Sequence, residues 1–219
     1  LKNRLVTESS AVFPKEFRIS EDKRNLLKID SSINGKLFKK RSIKLPDYHL
    51  KANETKAYLY YYLTKEDKIG FSDFSKYYVK DGKNTLRNSY LEDSLGYVEN
   101  VIRPLDIMYN LYKSGKLLDK YCEEIEALFI RDIFFEIERV KRNVHTEDTK
   151  VRLINILLKY LNFHFPNWRR NRYLKKNFID FNKGSFFKLN KISLEMKHFK
   201  TSGVLDSSEA IRSFKRVLK

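Results

Sequence analysis

Residues 118–140 read LDKYCEEIEALFIRDIFFEIERV, and the spacing of their apolar side chains decides the class of fold. Leu118, Cys122, Ile125, Leu128, Phe129, Ile133, Ile137 and Val140 recur three or four positions apart, the period of an α-helix with a wide buried stripe. Lys120, Glu124, Arg131 and Glu138 fall between them and are assigned to the polar side. The same period continues upstream from about Glu92 through Leu95, Val98, Ile102, Leu105, Met108, Tyr109 and Tyr112, with Pro104 expected as a kink or a break. Downstream it returns from about Glu147, with Thr146 as the expected cap, and buries Val151, Ile154, Leu157, Leu158 and Leu161 until Pro166 stops it. Three successive amphipathic helices pack as a bundle, expected over residues 91–165.

The first ninety residues have another pattern. KIGFSDFSKYYV, residues 68–79, is rich in aromatic and β-branched side chains around a Ser-Asp turn and reads as two short strands. KDGKN then supplies a turn. Beyond Pro166 basic and aromatic residues alternate, and SSEAIRSFKRVL, within Ser207–Leu218, starts like a capped helix. The fold class is therefore α+β, mostly α: a small α/β region over 1–90, the bundle, and a basic aromatic tail over 166–219.

Apolar residues make up 42% of the chain and aromatics 14%, enough for a packed core. The formal charge of +17 calls for a polyanionic partner, either nucleic acid or an anionic membrane surface. Residues 166–219 carry fourteen Lys/Arg against four Asp/Glu, so about ten of those charges lie in the last quarter. Within it, Trp168, Arg169, Arg170, Arg172, Lys175 and Lys176 have the composition of a polyanion site: cations for phosphates or headgroups, aromatics for bases or for the membrane interface. A solvated basic surface has the same composition, and composition does not choose among the three. The single cysteine, Cys122, excludes an internal disulfide, fits a reducing compartment and is expected as a small core residue. No apolar segment approaches the eighteen or so residues of a spanning helix. LKNRLVTESS holds no signal-like apolar run, and the start at Leu1 suggests a portion of a longer protein.

Enzyme signatures are scarce: GxSxG, P-loop, GxGxxG and HExxH are all absent, and so is any Asp-x-Asp pair. His49, His145, His164 and His198 are too scattered to suggest a metal site and are given structural or surface roles, so no metal is expected in this chain. One residue stands out. In NETKAYLYYYLTK, residues 53–65, Glu54 opens a tyrosine-rich helix. Asn53 as cap and Glu54 as complement to the helix dipole explain that without any function. Tyr60, Tyr61 and Tyr62 suit sugar stacking or core packing, with the core expected to take at least two of them.

Four pieces in order carry a resemblance. They are SINGKLFKKRSI (32–43), LKANETKAYLYYYLTKEDKIGF (50–71), YYVKDGKNTLRNS (77–89), and the helices ending in FPNWRRNRYLKK (165–176). Together they resemble the C-terminal half of a bacterial family 2 (GT-A) glycosyltransferase of the kind that builds capsule, teichoic acid or other surface glycans. The resemblance implies the acceptor-side end of a GT-A domain over residues 1–90, followed by a helical extension. It implies Glu54 as the catalytic carboxylate, with Asn53, Thr55 and Tyr61 contacting the acceptor. Its partners would be a glycan or lipid-linked acceptor, other subunits or a second copy, and an anionic membrane at the cytoplasmic face, nucleic acid being the weaker expectation. A divalent cation (Mg or Mn) and a nucleotide-sugar are implied only for the intact enzyme, and the chain alone is expected to be inactive. Two departures matter. The family's acidic pair is Glu-Asp with Asp as base, whereas this chain has Glu54 and Thr55, and neither the donor half nor a QxxRW motif has a counterpart. A basic nucleic-acid-binding helical module and a non-catalytic scaffold subunit are the alternatives.

Overall fold

The computed structural model describes residues 4–5, 16–29, 54–65, 68–70, 78–79 and 94–175 of the chain. These residues are mostly helical, with two small antiparallel strand pairs, which makes the fold α+β and mostly α. Strand β1 (Arg4–Leu5) pairs with β4 (Tyr78–Val79), and β2 (Glu16–Phe17) pairs with β3 (Ile69–Gly70). Both strands expected in residues 68–79 are present, but each takes its partner from the N-terminal end rather than from the other. Strand pairs this short have no stability of their own. Phe17 and Ile19 are core residues, so β2 fixes β3 against a packed surface.

Two helices lie between β2 and β3, and two more follow β4. They are α1 (Asn25–Lys28), α2 (Glu54–Lys65), α3 (Ser94–Ser114) and α4 (Leu118–Asn143), the last being the central one. Helix α4 touches α1, α3 and α5 (Glu147–His164), and the segment after α5 also lies against it. Surrounded in this way, it buries far more than one stripe.

The helix boundaries have local causes. Pro104 sits inside α3, which continues for another turn and more to Ser114, so it neither breaks the helix nor ends it. Proline has no N–H to offer the carbonyl four residues back. One turn earlier the Asn100 side chain donates to the Gly96 carbonyl at 2.6 Å. Helix α3 closes with a pair of reversed bonds, Leu117 N–H to the Tyr112 carbonyl (2.9 Å) and Lys116 N–H to the Lys113 carbonyl (3.1 Å). This motif requires a left-handed residue, and Lys116 fills it at φ 55° although glycine is the usual occupant. The preceding Gly115 has its own reason. A Cβ there would stand 2.9 Å from the Tyr61 hydroxyl oxygen and 3.0 Å from the Leu111 carbonyl. Thr146 does precede α5, but its side chain makes no capping bond, and Glu147 and Asp148 complement the dipole in the first turn instead.

Four expectations change. Tyr121 departs from helical geometry (φ −118°, ψ 20°) and points inward, which turns Cys122 out to an exposed position. Partial burial, with Glu126, Asp119 and Glu123 nearby, pushes the Cys122 thiol up, so it remains a protonated surface thiol. Helix α5 buries Leu153, Ile156, Leu157, Leu158, Tyr160 and Leu161, a face rotated from the expected one, leaving Val151 and Ile154 half-buried. Glu124, assigned to the wet side, is 1% exposed. After Pro166 the chain turns back: a 3-10 turn (Trp168–Arg170) and α6 (Arg172–Lys175) fold onto α4, burying Trp168, Asn171 and Tyr173. The start of the expected tail therefore belongs to the body. The helix expected over Ser207–Leu218 lies outside the described residues.

Candidate functional site

Glu54 is the first residue of α2 and Thr55 the second, as the capping pattern implies, while Asn53 lies outside the described residues. The remainder of α2 is anchored in the body. Lys56 and Asp132 of α4 form a buried ion pair at 3.4 Å, their side chains 9% and 8% exposed. One turn later Tyr60 is fully buried. Its hydroxyl donates to the Ile29 carbonyl at 3.1 Å, and its own carbonyl accepts from the Tyr112 hydroxyl at 2.8 Å. Arg131 completes the link by donating to the Leu27 carbonyl at 3.0 Å and to the Tyr60 hydroxyl, with its guanidinium over the Tyr60 ring. Burial pushes the Tyr112 phenol well above its ordinary value, so it acts as a donor. Of the three tyrosines weighed for sugar stacking, Tyr60 is core. Tyr61 is half-buried, edge-on to the Tyr112 ring at 5.6 Å, and Tyr62 is half-buried as well.

The second predicted cluster divides. Trp168 does not stand at the surface: its indole N–H donates to Asn162 at 2.9 Å and its ring packs 5.6 Å from Phe134. Arg172 is taken up by carboxylates. Its Nε lies 2.6 Å from Glu123 and its Nη2 3.2 Å from the buried Glu124. The Tyr173 hydroxyl also donates to Glu124, and burial together with that carboxylate pushes Tyr173 up to about 12. Asn171 closes the clasp with bonds to the Glu123 carbonyl (2.8 Å) and to Glu126 (2.7 Å). Arg169 and Arg170 are the exposed cations of this turn, Arg169 lying over the Trp168 ring at 4.4 Å. Lys175 ends α6, and Lys176 lies outside the described residues.

Two polar centres were not anticipated. Glu136 is buried beside Tyr97; one carboxylate oxygen accepts from Arg139 at 3.1 Å, and burial plus Glu136 holds the Tyr97 phenol well above its ordinary value. His164 stands 3.7 Å from Asp106 and packs on Tyr109 and Tyr160 with ring centroids at 4.4 and 4.5 Å. Burial, reinforced by Lys113, lowers its pKa to about 4, and burial raises that of Asp106. The signal for the carboxylates was present: Glu124, Asp132 and Glu136 fall at multiples of four along α4, on one face. Apart from Arg139 beside Glu136 and Arg131 beside Asp132, the groups they meet (Tyr173, Arg172, Lys56 and Tyr97) are tens of residues away in the chain, and only the fold reveals them.

Among the described residues no three His, Cys, Asp or Glu side chains come together to hold a metal ion, and no helix is long and apolar enough to cross a membrane. No family model, curated protein or solved structure matches this chain.

Proposed function

We propose that this chain is the acceptor-side and C-terminal portion of a GT-A glycosyltransferase that moves sugar from a nucleotide-sugar donor to a cell-surface glycan or lipid-linked acceptor. It would work as a peripheral protein at the cytoplasmic membrane face. The observation that carries the reading is the mounting of α2. The helix begins at Glu54, where the resemblance puts its acidic residue, and the residues just after it are locked to the body by Lys56–Asp132 and Tyr60–Arg131. An inverting transfer needs a carboxylate held within hydrogen-bond reach of the acceptor hydroxyl, to take its proton as the sugar carbon is attacked. A helix N-terminus keeps such a carboxylate ionised, and a rigid mount holds it in place.

The sequence has no Asp-x-Asp pair, and among the described residues no three His, Cys, Asp or Glu side chains gather to hold a divalent cation. In the proposed reading, the donor half of the intact enzyme would hold cation and nucleotide, and this chain would present the acceptor. The test is transfer of labelled sugar by the intact enzyme carrying Glu54→Gln. The expected result is a loss of about a hundredfold or more in kcat, with KM for the nucleotide-sugar retained. Unchanged transfer removes Glu54 as the base and leaves the scaffold alternative.

A further inference from the structure

Helix α5 and the turn after it combine three features. First, residues 149–179 contain no Asp or Glu, while they hold eight Lys/Arg. The acidic residues of α5, Glu147 and Asp148, are confined to its first turn. Second, Arg152, Lys159 and Phe163 recur at seven and four residues, which places them in one line on the outward side of the helix. Third, Phe163 is 71% exposed, the most exposed large apolar side chain among the described residues. It is not a loose end. Its ring meets His164 edge-on at 5.0 Å, and His164 is wedged between Tyr109 and Tyr160. The indole bond from Trp168 to Asn162, the residue beside Phe163, ties the following turn to this end of α5, and that turn carries the exposed Arg169 and Arg170.

We infer that this end of the molecule, with the exposed Phe163 and the cations Arg152 and Lys159 of α5 and Arg169 and Arg170 of the turn after it, docks on an anionic lipid bilayer, with the Phe163 ring entering the headgroup boundary. An exposed apolar side chain on a helix end whose own stretch of chain is cationic and holds no Asp or Glu matches such a surface in both chemistry and charge. The other exposed phenylalanine, Phe135 at 52%, provides the contrast. Its neighbours one turn away on α4 include Glu138 as well as Arg131 and Arg139, a field of mixed sign. The inference deepens the peripheral-membrane part of the proposed function and rests on it. It also moves the contact from Trp168, which the fold buries, and Arg172, which Glu123 and Glu124 engage, to the outer side of α5.

The test is co-sedimentation of the full chain with phosphatidylcholine vesicles with and without phosphatidylglycerol. Binding is expected only with phosphatidylglycerol and is expected to weaken with salt. Each cation at such a surface contributes roughly a factor of five, so Arg169→Ala with Arg170→Ala lowers affinity about thirtyfold. Phe163→Ser lowers it about tenfold. Phe135→Ser, and the charge-matched pair Lys28→Ala with Lys65→Ala, leave a larger share of binding than either. Circular dichroism confirms that each variant is folded. The surface is overturned if the Phe163 and Arg169/Arg170 variants bind like the unaltered chain, or if phosphatidylglycerol makes no difference. It is equally overturned if the chain ignores vesicles and either dimerises through this face or binds single-stranded oligonucleotides. Sugar transfer by the intact enzyme without vesicle binding by this chain sinks the surface and spares the enzyme; vesicle binding by this chain with no transfer by the intact enzyme does the reverse.

Discussion

Asp132→Leu is the most informative single change, because Asp132 joins the helix that begins at Glu54 to the centre of the body. The Lys56–Asp132 pair is separated by 3.4 Å and almost closed to solvent. At an effective dielectric near 20, that separation gives an attraction of about 5 kcal/mol, largely offset by the cost of drying both ions. Removing the carboxylate cancels the attraction and leaves the Lys56 ammonium buried. Arg131, whose Nε is 3.7 Å from the other Asp132 oxygen, keeps its bonds to the Leu27 carbonyl and the Tyr60 hydroxyl and needs no rescue. The expected loss is therefore about 3–5 kcal/mol, seen as a fall of about 10 °C in Tm. Adding Lys56→Met removes the stranded charge, and stability should return to within about 1–2 kcal/mol of the parent. Urea unfolding of the parent, both single variants and the double variant, monitored by circular dichroism, measures the cycle. A cost below about 1 kcal/mol for Asp132→Leu, or a double variant no better than the single, would refute the argument that this pair anchors α2.

Two further outcomes arise from the tail's return and from the histidine. Trp168 is the only tryptophan, so its emission reports its surroundings directly. It should be blue-shifted and poorly quenched by acrylamide, and it should not change when anionic vesicles are added; a vesicle-induced shift would place the ring at the membrane after all. His164 has a folded pKa lowered from 6.5 to about 4 by burial, with Lys113 adding to the effect. A depressed histidine favours the neutral folded form, so its contribution is complete above pH 6.5 and is lost as the pH falls toward 4. Asp106, raised by burial, works in the opposite sense by taking up a proton more readily when folded. The net loss should fall short of the roughly 3 kcal/mol that the His164 shift alone corresponds to, and His164→Phe should flatten that part of the stability profile.

The helices were legible because a helix is a local object. Ile125, Phe129, Ile133 and Ile137 announce α4 through spacing alone, and Pro166 marks the end of α5 in the same way. What could not be read depends on distant partners. Glu124 looks like any surface glutamate until Tyr173 and Arg172 arrive from forty-eight or more residues downstream. The partner of β4 is β1, more than seventy residues earlier, and no turn pattern links them. Trp168 was misplaced because composition records that arginines surround it but not which way the ring faces. For the candidate site, the helix start at Glu54 was visible from Asn53 and the residues after it. The mounting of that helix through Lys56, Tyr60 and Arg131 was not, since its contacts cross from residue 56 to 132 and from 29 to 60.

The Tyr112–Tyr60 contact also limits how this protein can evolve. Leu59, Tyr60 and Leu63 share one apolar core with Leu105, Met108 and Tyr112, so α2 is a keystone of the very bundle it precedes in the chain. Recombination that exchanged the front segment for a relative's would bring in a plug shaped for a different socket. Front and rear must therefore diversify in concert, and novelty in what the protein recognises is best gained on outward residues that the keystone does not touch.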